Sequence, residues 1–90
     1  VVLNKIPQMR LNNTAVYFFV PSDLSRAQKI GRVIIAARSI AGLTQAELAT
    51  RTNSTQPTIA RYENGLGIPD VDLAKDIATV TGQDFKIFEV

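Results

Sequence analysis

Neither cysteine nor histidine occurs in these 90 residues. Without cysteine there is no disulfide and no thiol nucleophile. Without histidine there is no Ser-His-Asp triad, and the two absences together remove every Cys/His zinc site. Long hydrophobic runs are missing too. The longest is Ala15–Val20, far short of the roughly 20 residues a membrane-spanning helix needs. No secretory pattern is visible, so the expected location is the cytoplasm, with no membrane partner. The chain opens Val1-Val2 without an initiator Met, which fits residues preceding it. A phosphate-cradling loop is also missing, because Gly65-Leu66-Gly67 has no lysine after it. The acids Asp70, Asp72 and Asp76 cap or coat one predicted helix and form no acid/base pair. These absences exclude the common catalytic devices. The expectation is a non-enzyme with no cofactor and no metal.

What remains is a chain with 46% hydrophobic and 20% charged residues, enough for one small core and too short for two. The net charge of +2 is unevenly spread. Residues 1–62 carry eight Lys/Arg against two acids, a balance of +6, and residues 63–90 carry two against six, a balance of −4. Such asymmetry points to a polyanion on one side of the molecule.

The punctuation of the chain gives three parts: an arm (1–21), a helical domain (22–83) and a tail (84–90). In the arm, Ala15–Val20 is aromatic and β-branched and predicts a strand, with Arg10-Leu11 as its hairpin partner across Asn12-Asn13. From Ser22 the pattern turns helical. Ser25-Arg-Ala-Gln28 can form a capping box, with Ser22 as a competing cap. Ile30, Val33, Ile34, Ala37 and Ala41 make one apolar stripe, stopped by Gly42. Thr44-Gln-Ala-Glu47 is a second capping box, with Leu48 and Ala49 inward. Asn53 offers the positive φ of a turn. Thr55 caps a third helix with Pro57 in its first turn and Ile59 and Tyr62 inward. Gly65 ends it. Asp70 caps a fourth, with Val71, Ala74, Ile77 and Ala78 on one face, closed by Gly82. The alternation of Phe85 and Ile87 predicts a terminal strand. Two short helices three or four residues apart, with the small Ala49 at the point of closest crossing, match a helix-turn-helix.

Leu43-Thr-Gln-Ala-Glu-Leu-Ala49, Thr55-Gln-Pro-Thr-Ile-Ala-Arg-Tyr-Glu-Asn-Gly65 and Pro69 together resemble the XRE family, the helix-turn-helix domains of phage repressor and Cro type. The resemblance covers about residues 28–82. Two positions depart from the family pattern: Asn53, where glycine is usual, and Thr52, where an aliphatic residue is usual.

The resemblance implies a mainly α fold: a compact four-helix repressor-like DNA-binding domain, here with a short N-terminal strand and a C-terminal strand. It implies a homodimer that lays its third helix in the major groove of a palindromic double-stranded operator. By motif position, Gln56, Pro57 and Arg61 fall where relatives contact base edges. Thr44, Gln45, Thr55, Thr58 and Asn64 fall where they contact phosphate or support readout. The chemistry is compatible. Gln can bond adenine at N6/N7, Arg can grip guanine at O6/N7, and helix N-terminal amides suit phosphate oxygens. Pro57, which cannot donate, suits a thymine methyl. Arg38 and Glu63 match positions that form a structural ion pair. A terminal strand after the fourth helix, together with the Gln56–Glu63 string and the Gly82–Ile87 tail, resembles antitoxins of the HipB and HigA type, in some of which such a strand pairs across the dimer. Phe85, Ile87, Phe88 and Val90, apolar where a solvated tail would be polar, are expected at a dimer contact, with the strand pairing across the two-fold or with Ala15–Val20, and a cognate toxin is an expected partner. The alternative is a phage-type or stand-alone regulator without a toxin.

Overall fold

In a computed structural model, which describes residues 3–5, 9–12, 14–16 and 19–90, four α-helices follow four three-residue strands. The strands are β1 (Leu3–Lys5), β2 (Met9–Leu11), β3 (Thr14–Val16) and β4 (Phe19–Pro21). The helices are α1 (Arg26–Ile40), α2 (Gln45–Arg51), α3 (Gln56–Glu63) and α4 (Val71–Thr81), and a 3-10 helix (Phe85–Phe88) closes the described chain. β2 and β3 form an antiparallel hairpin with Arg10 opposite Ala15, joined through Asn12 at φ +51°. Left-handed backbone at this point is what a tight hairpin turn requires. β1 pairs antiparallel with β4, Asn4 opposite Val20. The predicted strand over Ala15–Val20 thus falls partly in β3 and partly in β4, while Tyr17 and Phe18 lie outside the described residues.

The helix boundaries follow local chemistry. Ser25, not Ser22, caps α1: its hydroxyl accepts from Gln28 N–H at 3.1 Å, and the Gln28 side chain accepts from Ser25 N–H at 2.9 Å. Thr44 and Glu47 form the same box at α2, at 3.1 and 3.0 Å. Asp70 caps α4, accepting from Leu73 N–H at 2.8 Å. Gly42, Gly65 and Gly82 follow the ends of α1, α3 and α4 at positive φ, so these carbonyl ends close with left-handed turns.

One core serves the described residues. Ile30, Val33, Ile34 and Ala37 of α1 meet Leu48, Ile59 and Ile77, and Met9, Val20, Ile87 and Phe88 join the same cluster. The arm and the tail are therefore packed onto the helices. Gln83 fastens the arm further. Its amide accepts from Arg10 N–H at 2.7 Å and donates to Arg10 C=O at 2.8 Å, occupying the outer edge of β2 as a neighbouring strand would.

Three expectations need correction. Phe85–Phe88 is a 3-10 helix, not a strand, capped by Asp84, whose carboxylate accepts from Lys86 N–H at 2.8 Å. The cap starts a helical turn, which buries Ile87 and Phe88 in the protein's own core. Strand pairing across a dimer is thereby removed, and of the four expected dimer residues only Phe85 and Val90 keep surface to offer. Val71, expected inward, is 59% exposed, because the first residue of α4 precedes the turn that packs. Ala41 is the C-cap of α1 and is exposed, one position beyond the stripe it was expected to extend.

Candidate nucleic-acid interface

The surface of interest is built by α2, the turn after it, and α3. Seven residues suffice for α2 because its buried side is only Leu48 and Ala49. Ala49, 3% exposed, leaves room for the turn to fold back: Ser54 N–H donates to Ala49 C=O at 2.8 Å. Asn53 supplies φ +55° where the family usually places glycine, and asparagine tolerates that region better than most residues. Thr52, in place of an aliphatic residue, is buried, and its hydroxyl donates to Leu48 C=O at 2.8 Å. Its polar atom is satisfied inside the chain, so the substitution carries no unpaired-group penalty.

α3 starts at Thr55, whose hydroxyl accepts from Thr58 N–H at 3.3 Å and lies 2.8 Å from the Thr58 hydroxyl. Pro57 stands in the first turn, where no intrahelical N–H is needed. Ile59 is fully buried and Glu63 nearly so. The opposite side of α3 is open: Gln56, Pro57, Arg61 and the C-cap residue Asn64 are exposed, and Thr58 is half-buried. Thr44 and Thr55, the two cap residues, are exposed beside them.

A chain of hydrogen bonds anchors this surface. Arg38 on α1 donates from Nε to Glu63 Oε2 at 2.6 Å and from Nη2 to Glu63 Oε1 at 3.0 Å. Its remaining Nη1 donates to Leu43 C=O at 3.0 Å. Glu63 Oε1 also accepts from Gln45 Nε2 at 2.8 Å. Gln45 Oε1 in turn accepts from Gln56 Nε2 at 2.7 Å. The two-point Arg38–Glu63 contact fixes the guanidinium plane, and it raises the Arg38 pKa above its ordinary value, chiefly through the hydrogen bond to Glu63. Rigidity therefore passes from the core pair through Gln45 to the first residue of α3. Arg61 is held separately, its Nε donating to Leu66 C=O at 3.3 Å. That contact leaves both Nη groups as a fork at the tip of the side chain.

Sequence reading missed two determinants. Gly31 in mid-α1 is buried, and a Cβ there would stand 2.6 Å from the backbone oxygens of both Tyr62 and Glu63. This is where α1 lets the end of α3 approach. A lone glycine inside a helical stripe was the available signal. Gln83, which fastens the arm, left no signal in its residue type. Among the described residues, no group of three or more His, Cys, Asp or Glu is placed to hold a metal ion. No described helix is long and apolar enough to cross a membrane.

A short supporting helix, a sharp turn over a small residue, and a second helix with an exposed polar face define a DNA-binding helix-turn-helix domain. The chain belongs to this family: the family model described as helix-turn-helix matches residues 34–88. That is a family of DNA-binding regulatory domains and not of enzymes. The chain is also similar to endothelial differentiation-related factor 1 of Homo sapiens, 39% identical over 54 residues. That match covers 60% of this chain and 36% of the human protein. The Rattus norvegicus and Mus musculus proteins of the same name match equally. The chain therefore spans about a third of the length of these curated relatives.

Proposed function

We propose that this chain is a sequence-specific transcriptional repressor that binds a palindromic operator as a homodimer, reading bases with Gln56, Pro57 and Arg61. The observation that carries the reading is the state of α3. Its outer face is exposed, while its first residue is tied through Gln45 and Glu63 to Arg38. A side chain already oriented loses less freedom on meeting a base edge, which favours specific contacts over diffuse attraction. Thr44, Gln45, Thr55, Thr58 and Asn64 border the same face and suit phosphate contact. The low net charge fits a protein that relies on such contacts and not on bulk attraction.

Of the two finer readings, the stand-alone regulator is favoured over the antitoxin. The antitoxin reading, with its toxin partner, rested on a terminal strand and on the Gln56–Glu63 string, and of these the strand is absent, because Phe85–Phe88 is a helical turn packed into the core. Selection of binding sites from a random duplex pool tests the function. Enrichment of one inverted-repeat motif is expected. Recovery of unrelated sequences at every round would reject sequence-specific reading.

A further inference from the structure

Where α3 ends, the chain packs against α1 and leaves an open cleft of about 290 Å³ between them. Gln28 and Arg32, one turn apart on α1, line it together with Glu63, Asn64 and Gly65. Gly65 admits the close approach: it sits at φ +73°, and a Cβ there would stand 2.8 Å from Gln28 Cγ. Asn64 is also the exposed C-cap of α3, so the cleft and the reading face share a rim. The side chains of α1 bring donors to this cleft. The capping box orients Gln28: its Oε1 accepts from Ser25 N–H at 2.9 Å, which leaves the Nε2 group as the outer end of the amide. Arg32 is exposed, and among the described residues no acid lies within ion-pair distance of it. The one acid of the cleft is already occupied, because Glu63 Oε2 accepts from Arg38 and Oε1 accepts from Arg38 and Gln45. The end carbonyls of α3 are occupied too. Those of Ala60, Arg61 and Tyr62 accept from the N–H groups of Asn64, Leu66 and Gly65, which mutes the negative end of the helix dipole.

We infer that this cleft binds one phosphate of the DNA backbone, held by the Arg32 guanidinium and Gln28 Nε2, with Asn64 at the rim. A guanidinium without an acid, beside an amide donor, matches the charge and the paired oxygens of a phosphate. One cation balances a phosphodiester, which carries one negative charge, better than a phosphate monoester, which carries nearly two at neutral pH. The shared rim decides the source. A duplex lying on the outer face of α3 brings its backbone to the end of that helix, where the cleft opens. Thr44 and Thr55 border the face near the N-terminal end of α3, and Gln28 and Arg32 stand at the C-terminal end, so the backbone is held at both ends. Contacts of this kind set the register of the protein on the duplex and carry no sequence information. The inference rests on the DNA reading proposed above and extends its contact surface to α1.

Binding titrations on the selected operator over a series of salt concentrations test this, with preference among single-base variants measured alongside. Arg32→Gln is expected to lower the slope of log affinity against log salt by about 1 for each bound copy, and to weaken binding to every sequence alike. Arg32→Lys keeps the charge and should keep the slope. Gln28→Glu retains an acceptor for Ser25 N–H, sets a negative charge in the cleft, and should weaken binding without altering preference. Arg32 faces solvent, and Glu at position 28 stands one turn before Arg32, a pairing that supports a helix, so both variants fold, as thermal melts verify. Millimolar inorganic phosphate in place of DNA separates the two sources of the anion. Backbone amide shifts at Gln28 and Arg32 should stay small with it and be large with operator. Equal shifts would assign the cleft to a free anion and overturn the inference. An unchanged salt slope in Arg32→Gln would overturn it too, as would a loss confined to one base position. If Arg61→Ala alters base preference while Arg32→Gln leaves the slope unchanged, the cleft inference alone falls. If the unmodified chain selects no sequence, the reading falls and the inference with it.

Discussion

Arg61 is exposed on α3 and Glu63 is buried on it, and their substitutions separate two roles. Arg61 is exposed and its side chain donates to Leu66 C=O, so Arg61→Ala removes a fork without disturbing the helix. Preference should relax at one position per half-site, by about 1–3 kcal/mol against the selected sequence. Binding titrations across single-base variants measure this, and an unchanged profile would remove Arg61 from the reading set. Glu63 is the opposite case. Its side chain is 4% exposed and accepts from both Arg38 and Gln45. Glu63→Ala leaves a guanidinium and an amide without their acceptor. Breaking a buried pair costs about 3–5 kcal/mol, and the lower end applies because Arg38 is 19% exposed. Denaturant unfolding should show that loss, together with weaker operator binding. The Arg38–Glu63 pair was legible from motif position. The Gln45–Gln56 bond was not, because a contact between side chains eleven positions apart depends on the angle at which the two helices cross.

Helix ends were legible wherever a cap residue and its partner stand three apart, as at Ser25/Gln28, Thr44/Glu47 and Asp70. The tail was misread because Phe85 and Ile87 alternate like a strand, while the Asp84 cap and the contact of Phe88 with Phe85, ring centroids 6.1 Å apart, give the three-residue repeat of a 3-10 turn. Gly31→Ala tests the packing of α1 on α3. Alanine would favour the helix by up to about 1 kcal/mol, but its Cβ meets two backbone oxygens at 2.6 Å, which cannot rotate away. Net destabilisation of about 1–3 kcal/mol is expected, and a gain in melting temperature would contradict the packing. At α2, hydrogen bonds from the Thr44 backbone and side chain hold the Glu47 pKa below its ordinary value. A carboxylate with a lowered folded pKa adds stability above its unfolded pKa and loses it as pH falls through the folded one. Melting temperature should therefore fall less steeply below about pH 4.5 in Glu47→Gln than in the unmodified protein. Parallel curves would show that the charge contributes nothing.

At the scale of the molecule, positive charge gathers in residues 1–62 and negative charge in 63–90, and the helix-turn-helix lies almost wholly in the first part. The fold turns that division of sequence into a division of surface only so far as α2 and α3 stand apart from α4. The arm shows the limit of sequence reading at this scale. Its hairpin was legible from Asn12-Asn13 and the flanking β-branched residues. Its docking through Met9, Val20 and Gln83 depends on a core that only the assembled helices create. The central claim is that α3, with the caps of α2 and α3 beside it, is the surface that meets DNA. Backbone amide shifts of the isotope-labelled protein, titrated with its selected operator, test this most directly. Perturbations should concentrate at Thr44–Gln45 and Thr55–Asn64, and they should weaken as salt rises, because phosphate contacts release counterions. Perturbations confined to α4 and Phe85–Phe88, with α3 unmoved, would contradict it.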